Sequence, residues 1–160
     1  MKKAFTLIEE IMIIVLIGIL AMVFAVYIRE GAAAWHYLST QKNMALADRA
    51  ALNRIVREIK RVVVNTDISV HTTTEVAFLD VDAHNVSFSQ NGSQLLRNGQ
   101  VMLDKLADPG GLTFQYLNNT GSATTEVSQI SVVVCRIVTV ERNNRFALES
   151  AAGIRSRRLN

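Results

Sequence analysis

The chain has 160 residues and a formal net charge of +3. Lys2 and Lys3 supply two of those charges, so the rest of the chain carries +3 − 2 = +1, which gives little weight to a nucleic-acid role. A single cysteine, Cys135, excludes an intrachain disulfide framework, and its apolar surroundings in the sequence mark it as a small buried hydrophobe.

The N-terminal stretch organises everything after it. Met1-Lys2-Lys3-Ala4 is followed by Phe5-Thr6-Leu7-Ile8-Glu9-Glu10, then by an uncharged run from Ile11 to Ile28. That run is about 18 residues, near the lower limit for a bilayer-spanning helix. Arg29 and Glu30 are the next charges. A carboxylate at the edge of such a run is costly and marks a functional position that needs a cationic partner. Two readings follow from the residues. One is a bitopic anchor with Lys2 and Lys3 inside. The other is a signal peptide cut after Val23-Phe24-Ala25, against which Glu9 and Glu10 argue, because the basic-to-apolar transition is normally free of acids.

A third reading comes from resemblance. Lys2-Lys3-Ala4 followed by Phe5-Thr6-Leu7-Ile8-Glu9 and the apolar run resembles the leader and mature start of the type IV pilin superfamily. The resemblance implies cleavage between Ala4 and Phe5 by a prepilin peptidase, methylation of the Phe5 amine, and an assembly role for Glu9 as the partner of a terminal amine. It implies that Ile11, Met12, Ile13, Ile14, Val15, Leu16, Ile17, Gly18, Ile19 and Leu20 lie in a membrane and assembly helix. The sequence departs from the pattern at Ala4, where Gly is usual, and at Glu10, usually apolar. It also has no proline in the helix, since Pro109 is the only one, which leans towards a minor subunit.

From Arg29 to Val64 the pattern stays helical. Ala45, Leu52, Ile55, Val56, Ile59, Val62 and Val63 recur at helical spacing, and Asn53, Arg54, Arg57, Glu58, Lys60 and Arg61 cover the other side. The spacing predicts one helix from Phe5 to about Val64, with its apolar stripe on a sheet. Trp35 and Tyr37, just past the apolar run, suit an interfacial aromatic belt or packing in a helix bundle. Arg54, Arg57, Lys60 and Arg61 read as a solvated face. A DNA or partner patch is the rival reading, without the interleaved aromatics of a single-strand binder.

After Asn65-Thr66-Asp67 the sequence turns to strands. They are expected near Val70–Thr74, Glu75–Val81, Asn85–Gln90, Gln94–Arg97, Val101–Leu103, Leu112–Leu117, Val127–Val140 and Phe146–Ala151. Asn91-Gly92 and Asn98-Gly99 are hairpin signals, and Asp108-Pro109-Gly110-Gly111 is a loop. The expected architecture is α+β: a long N-terminal helix packed on one antiparallel meander. The expected divisions are a leader over 1–4, a membrane helix over 5–28, an amphipathic continuation over 29–64 and a β-rich head over 65–160. The order of Asn53 to Lys60, Leu96-Arg97-Asn98-Gly99, Leu112 to Leu117 and Arg158 is similar to J-type minor pseudopilins of type II secretion and W-type minor pilins.

No chemistry-bearing constellation stands out. His36, His71 and His84 lack zinc spacing, and no nucleophile elbow, P-loop or dinucleotide fingerprint is present. Asp80-Val81-Asp82-Ala83-His84-Asn85 lacks the EF-hand Gly and closing Glu. Asn118 to Glu126, where related major pseudopilins would bind calcium, has one acid. Turn chemistry accounts for both stretches. The expectation is therefore a non-enzymatic subunit without cofactor, metal or catalytic residues. The resemblance gives it a prepilin peptidase, other major and minor pilins or pseudopilins, and an inner-membrane assembly platform as partners. It places the protein in the bacterial inner membrane with a periplasmic head, and afterwards in a pilus or pseudopilus. A DNA-uptake minor pilin and a membrane-anchored periplasmic sensor are the alternatives.

Overall fold

The computed structural model describes residues 6–141 and 144–154. The chain divides into two compact units, Met1–Lys42 and Asn43–Asn160. One helix, α1 (Leu7–Ile59), contributes to both. In the first unit it is the only described element, and its side chains are exposed from residue 6 to residue 39.

The second unit is an α+β head. The last turns of α1 bury Met44, Asp48, Ala51, Leu52, Ile55, Val56 and Ile59, which recur every three or four residues and so share one face. Ile55 and Ile59 are 0% and 1% exposed, and burial of each contributes about 1.5–3 kcal/mol. The expected stripe is buried at Leu52, Ile55, Val56, Ile59 and Val62, while Ala45 and Val63 are half-buried. The helix stops at Ile59 rather than Val64. Arg61 N–H bonds to the Glu58 carbonyl and Val62 N–H to that of Ile59, a tightened last turn. The β-branched triplet Val62-Val63-Val64 follows, whose stiff side chains do not favour prolonging a helix.

Eight strands follow: β1 (Ile68–His71), β2 (Glu75–Leu79), β3 (Asn85–Asn91), β4 (Gln94–Arg97), β5 (Gln100–Leu103), β6 (Leu112–Leu117), β7 (Val132–Glu141) and β8 (Asn144–Gly153). They form not one meander but two antiparallel sheets, in the orders β1-β2-β3-β4-β5 and β6-β7-β8. The segment after β5 does not turn back to pair with it. Instead β6 abuts the start of β2, where Phe114 N–H donates to the Thr73 carbonyl at 2.8 Å. Val127–Gln129 is a single 3-10 turn, so the strand expected from Val127 begins at Val132.

Hairpin chemistry sets the register of the first sheet. Asn98 and Gly99 both have positive φ, 49° and 76°, as a two-residue turn matched to strand twist requires. Arg97 pairs with Gln100 across it. The preceding loop is Gly92-Ser93, one residue later than the Asn91-Gly92 signal, because Asn91 itself pairs with Gln94. Inward residues of both sheets join the helix in a single core: Phe78, Val86, Phe88 and Leu95 from the first, Leu112, Phe114, Cys135 and Ile137 from the second.

Polar ties join the sheets. Gln90 Nε2 donates to the Ala107 carbonyl at 2.8 Å, and its Oε1 accepts from Leu112 N–H at 2.8 Å. Tyr116 Oη donates to the Thr72 carbonyl at 3.0 Å and meets the His71 ring edge-on. The helix is pinned to β7 by Thr139 Oγ1, which donates to Asp48 Oδ2 at 2.6 Å.

Candidate functional site

Thr6 is the residue before the helix, and Glu9 stands three residues later, the spacing of a capping box. Glu9 Oε2 accepts from Thr6 N–H and from Thr6 Oγ1, both at 3.3 Å. The carboxylate thus satisfies a donor that the first helical turn leaves unpaired. It also lies where the helix dipole favours negative charge. Glu10 is exposed, and among the described residues it makes no ion pair. The expected cleavage point, Ala4 and Phe5, lies outside the described residues.

Beyond Glu10 the helix is apolar all round. Ile11, Met12, Ile13, Ile14, Val15, Leu16, Ile17, Gly18, Ile19 and Leu20 are all helical and all exposed. Its most apolar 18-residue window has a mean hydropathy of 3.1 and is 0% buried, long and apolar enough to cross a membrane. A soluble unit seldom leaves a large continuous apolar patch bare, so this surface calls for a cover. Trp35 and Tyr37 are 76% and 51% exposed. Tyr37 Oη accepts from Gln41 Nε2 at 3.1 Å.

Two of the four residues of the basic cluster at the end of α1, Arg54 and Arg61, form ion pairs within the head. Arg54 pairs with Glu58 at 3.1 Å. Arg61 sits 3.1 Å from Asp80 and also pairs with Asp82. Glu58 receives a second guanidinium, that of Arg97, at 2.9 Å. Arg57 and Lys60 are exposed and make no ion pair among the described residues.

Asp80, Asp82 and His84 bring ligand atoms within 4.8 Å of one another. The turn explains their gathering. Asp80 Oδ1 accepts the backbone N–H of Asp82 at 2.9 Å and of His84 at 3.0 Å. These bonds, led by that from His84, and the nearby Arg61 charge hold the Asp80 carboxyl below the usual carboxylate range. The Arg61 guanidinium is shared between the two acids. In the 118–126 loop, Asn118 Oδ1 accepts from Thr120 N–H, Thr120 Oγ1 and Ser122 N–H, which shapes the loop around its own side chain. Of the histidines, His36 lies exposed on α1 and His71 Nε2 is 3.0 Å from the Thr125 carbonyl oxygen.

Cys135 is fully buried. Burial, reinforced by the charge of Glu149, pushes its thiol up to about 12, so it stays protonated and packs as a hydrophobe.

Two features escaped the sequence reading. Asp48 is 0% exposed on the buried face of α1, and its Oδ1 has no hydrogen-bond partner among the described residues. Its spacing from Met44, Ala51 and Leu52 placed it on the apolar stripe, which was the available signal. The Arg54–Glu58–Arg97 cluster joins a helix to a strand 39 residues away in sequence, and no local pattern announces it. Comparisons with protein-family models, with curated proteins and with solved structures return no match to this chain.

Proposed function

We propose that the chain is a non-enzymatic structural subunit, held in a bilayer by the first part of α1 and assembled into a filament through the same apolar surface. Within that class, its start resembles the type IV pilin superfamily. The particular role proposed is a minor pseudopilin or minor pilin in a tip or priming complex, made as a precursor and cut between Ala4 and Phe5 by a prepilin peptidase. Its other partners would be major and minor subunits and an inner-membrane platform, with the head on the periplasmic side.

One observation carries the reading: a wholly exposed apolar helix follows directly on Phe5-Thr6-Leu7-Ile8-Glu9, and the same helix ends as the buried face of an α+β head. The Glu9 geometry supports it further. In the intact chain Glu9 caps its own helix through Thr6. Cleavage before Phe5 would create a positive amine one residue before Thr6 and four before Glu9 in the chain. An amine of a neighbouring subunit could take its place in a filament. Breaking a buried ion pair on one side costs roughly 3–5 kcal/mol, enough to reject a wrong register.

The test is intact mass and N-terminal sequencing of the protein from membranes of its native host, beside Glu9→Ala. The expected chain begins with N-methylated Phe5, and Glu9→Ala is still cleaved but is lost from filaments. A chain that keeps Met1 would leave a plain membrane anchor. One that begins near Val26 would mean a secreted domain. Either result overturns the reading.

A further inference from the structure

The strongest unassigned feature of the head is the pocket where α1 meets the edge of the first sheet. It has a volume of about 290 Å³ and is lined by Arg54, Arg97, Asn98, Gln100, Val101 and Met102. Two guanidiniums converge there on one carboxylate. Arg97 Nε donates to both oxygens of Glu58, at 3.0 and 2.9 Å, and Arg54 Nε donates to Oε1 at 3.1 Å. Glu58 therefore balances one of the two positive charges, and a unit of positive charge is left over.

The bonding pattern matters as much as the count. Both arginines use Nε, and among the described residues the terminal amino groups of neither make a hydrogen bond. Those amino groups form the fork that matches a carboxylate in a bidentate fashion. The Arg97 side chain is 29% exposed and held by Glu58, so much of the entropy cost of ordering it is already met. Gln100 adds an exposed amide beside it, also without a hydrogen bond among the described residues.

The remaining wall selects the kind of partner. Val101 is 51% exposed and Met102 half-buried, which gives the pocket an apolar side. Both belong to β5, the last strand of its sheet, whose outer edge pairs with no other strand among the described residues. An extended peptide could pair along that edge, as in β-strand addition, and set a side chain into the pocket. A nucleic acid would need a track of several unpaired cations and stacking aromatics. The pocket offers neither.

We propose that Arg54, Arg97 and the outer edge of β5 form a docking site for a carboxylate-bearing extended segment of a partner protein. The excess guanidinium charge holds the carboxylate, Val101 and Met102 pack on the neighbouring apolar side chain, and the β5 edge fixes the direction of the segment. The site stands independently of how the N-terminal helix is processed.

The experiment uses the full chain in detergent micelles at low salt. The probe is a fluorescein-labelled octapeptide of alternating Glu and Val, read by anisotropy. The comparators are the same peptide with Gln for Glu and a labelled oligothymidine of equal length. The Glu peptide should bind and the Gln peptide should not. Arg97→Gln should weaken binding at least about tenfold. Because Arg97→Gln also disturbs Glu58, Val101→Asp is the second variant: it sets a like charge on the exposed rim, keeps Arg54, Glu58 and Arg97 in the chain, and should abolish binding. Arg136→Gln, on the outer face of β7, should leave binding unchanged. Equal binding of the Gln peptide, indifference to Val101→Asp, or tighter binding of the oligothymidine would each overturn the proposal.

Discussion

Thr139→Val tests the buried pair that pins the helix to β7. Thr139 and Asp48 are 2% and 0% exposed, so water cannot replace a lost partner without moving the core. Valine keeps the branched shape and removes only the hydroxyl. The lost bond is 2.6 Å long, in the range of a hydroxyl donating to a carboxylate. Among the described residues Asp48 Oδ1 has no partner already, so the variant leaves both carboxyl oxygens without one. A hydrogen bond to a charged group contributes about 1.5–3 kcal/mol, and the loss near neutral pH should be about 2–3 kcal/mol.

The pH dependence follows from the direction of the shift. Burial is the larger influence and raises the Asp48 carboxyl above its ordinary value of 3.8, while the Thr139 hydroxyl lowers it. The folded state then holds this proton more tightly than the unfolded chain. The resulting stabilisation is fully present below the unfolded pKa and is lost as pH rises through the folded one. Valine removes the lowering influence, so the penalty should grow with pH and shrink in acid to about 1 kcal/mol, where Asp48 is neutral. Urea unfolding of the full chain in micelles, followed by far-ultraviolet circular dichroism at about pH 4 and about pH 8, measures it. Asp48→Leu combined with Thr139→Val removes both polar groups and should recover most of the loss. An equal penalty at both pH values would refute the reasoning, as would a double variant worse than the sum of the singles.

Three further outcomes are expected. In Gly111→Ala the new Cβ would lie 2.4 Å from the Ala107 carbonyl oxygen and 2.7 Å from its nitrogen, so backbone must move. A loss of about 1–3 kcal/mol in urea unfolding is expected, and an unchanged midpoint would count against the packing described. Gln90→Ala strands the Leu112 N–H and should cost about 1–3 kcal/mol, with faster hydrogen exchange at that amide; unchanged protection would mean the tie contributes nothing. Cys135, with its thiol raised from 9.0 to about 12, should react with maleimide at pH 8 roughly a thousandfold more slowly than an ordinary thiol, and rapidly once the head is unfolded in urea. Fast labelling of the folded protein would contradict its burial.

Local patterns made much of the head legible. Leu112-Thr113-Phe114-Gln115-Tyr116-Leu117 reads as a strand because Leu112, Phe114 and Tyr116 alternate with polar residues, and those three are the buried ones. Leu52, Ile55, Val56 and Ile59 declare the helix face by spacing alone. What failed was partner choice. Nothing near β6 says that Phe114 will bond to Thr73 rather than continue from β5, because that decision rests on a shared core assembled from both sheets. The run from Val127 misled in another way, since an apolar stretch with alternation does not distinguish a strand from a 3-10 turn leading into one. At the candidate site, the exposed apolar helix and Glu9 were legible as a pattern. The capping bond between Glu9 and Thr6 emerged only from geometry.

The two-sheet arrangement also bears on how the head forms. Within each sheet every strand pairs with its neighbour in sequence, and apart from the longer 118–131 connection between β6 and β7 the hairpins close over short loops at small entropic cost. The helix face is different. Asp48 must find Thr139 across 91 residues, and Ile55 and Ile59 share a core with Ala152 and Ile154 near the end of β8. During synthesis, the buried face of the helix is therefore made first and covered last. Local hairpins should form quickly, and the slow step should be the docking of the helix on strands made long after it.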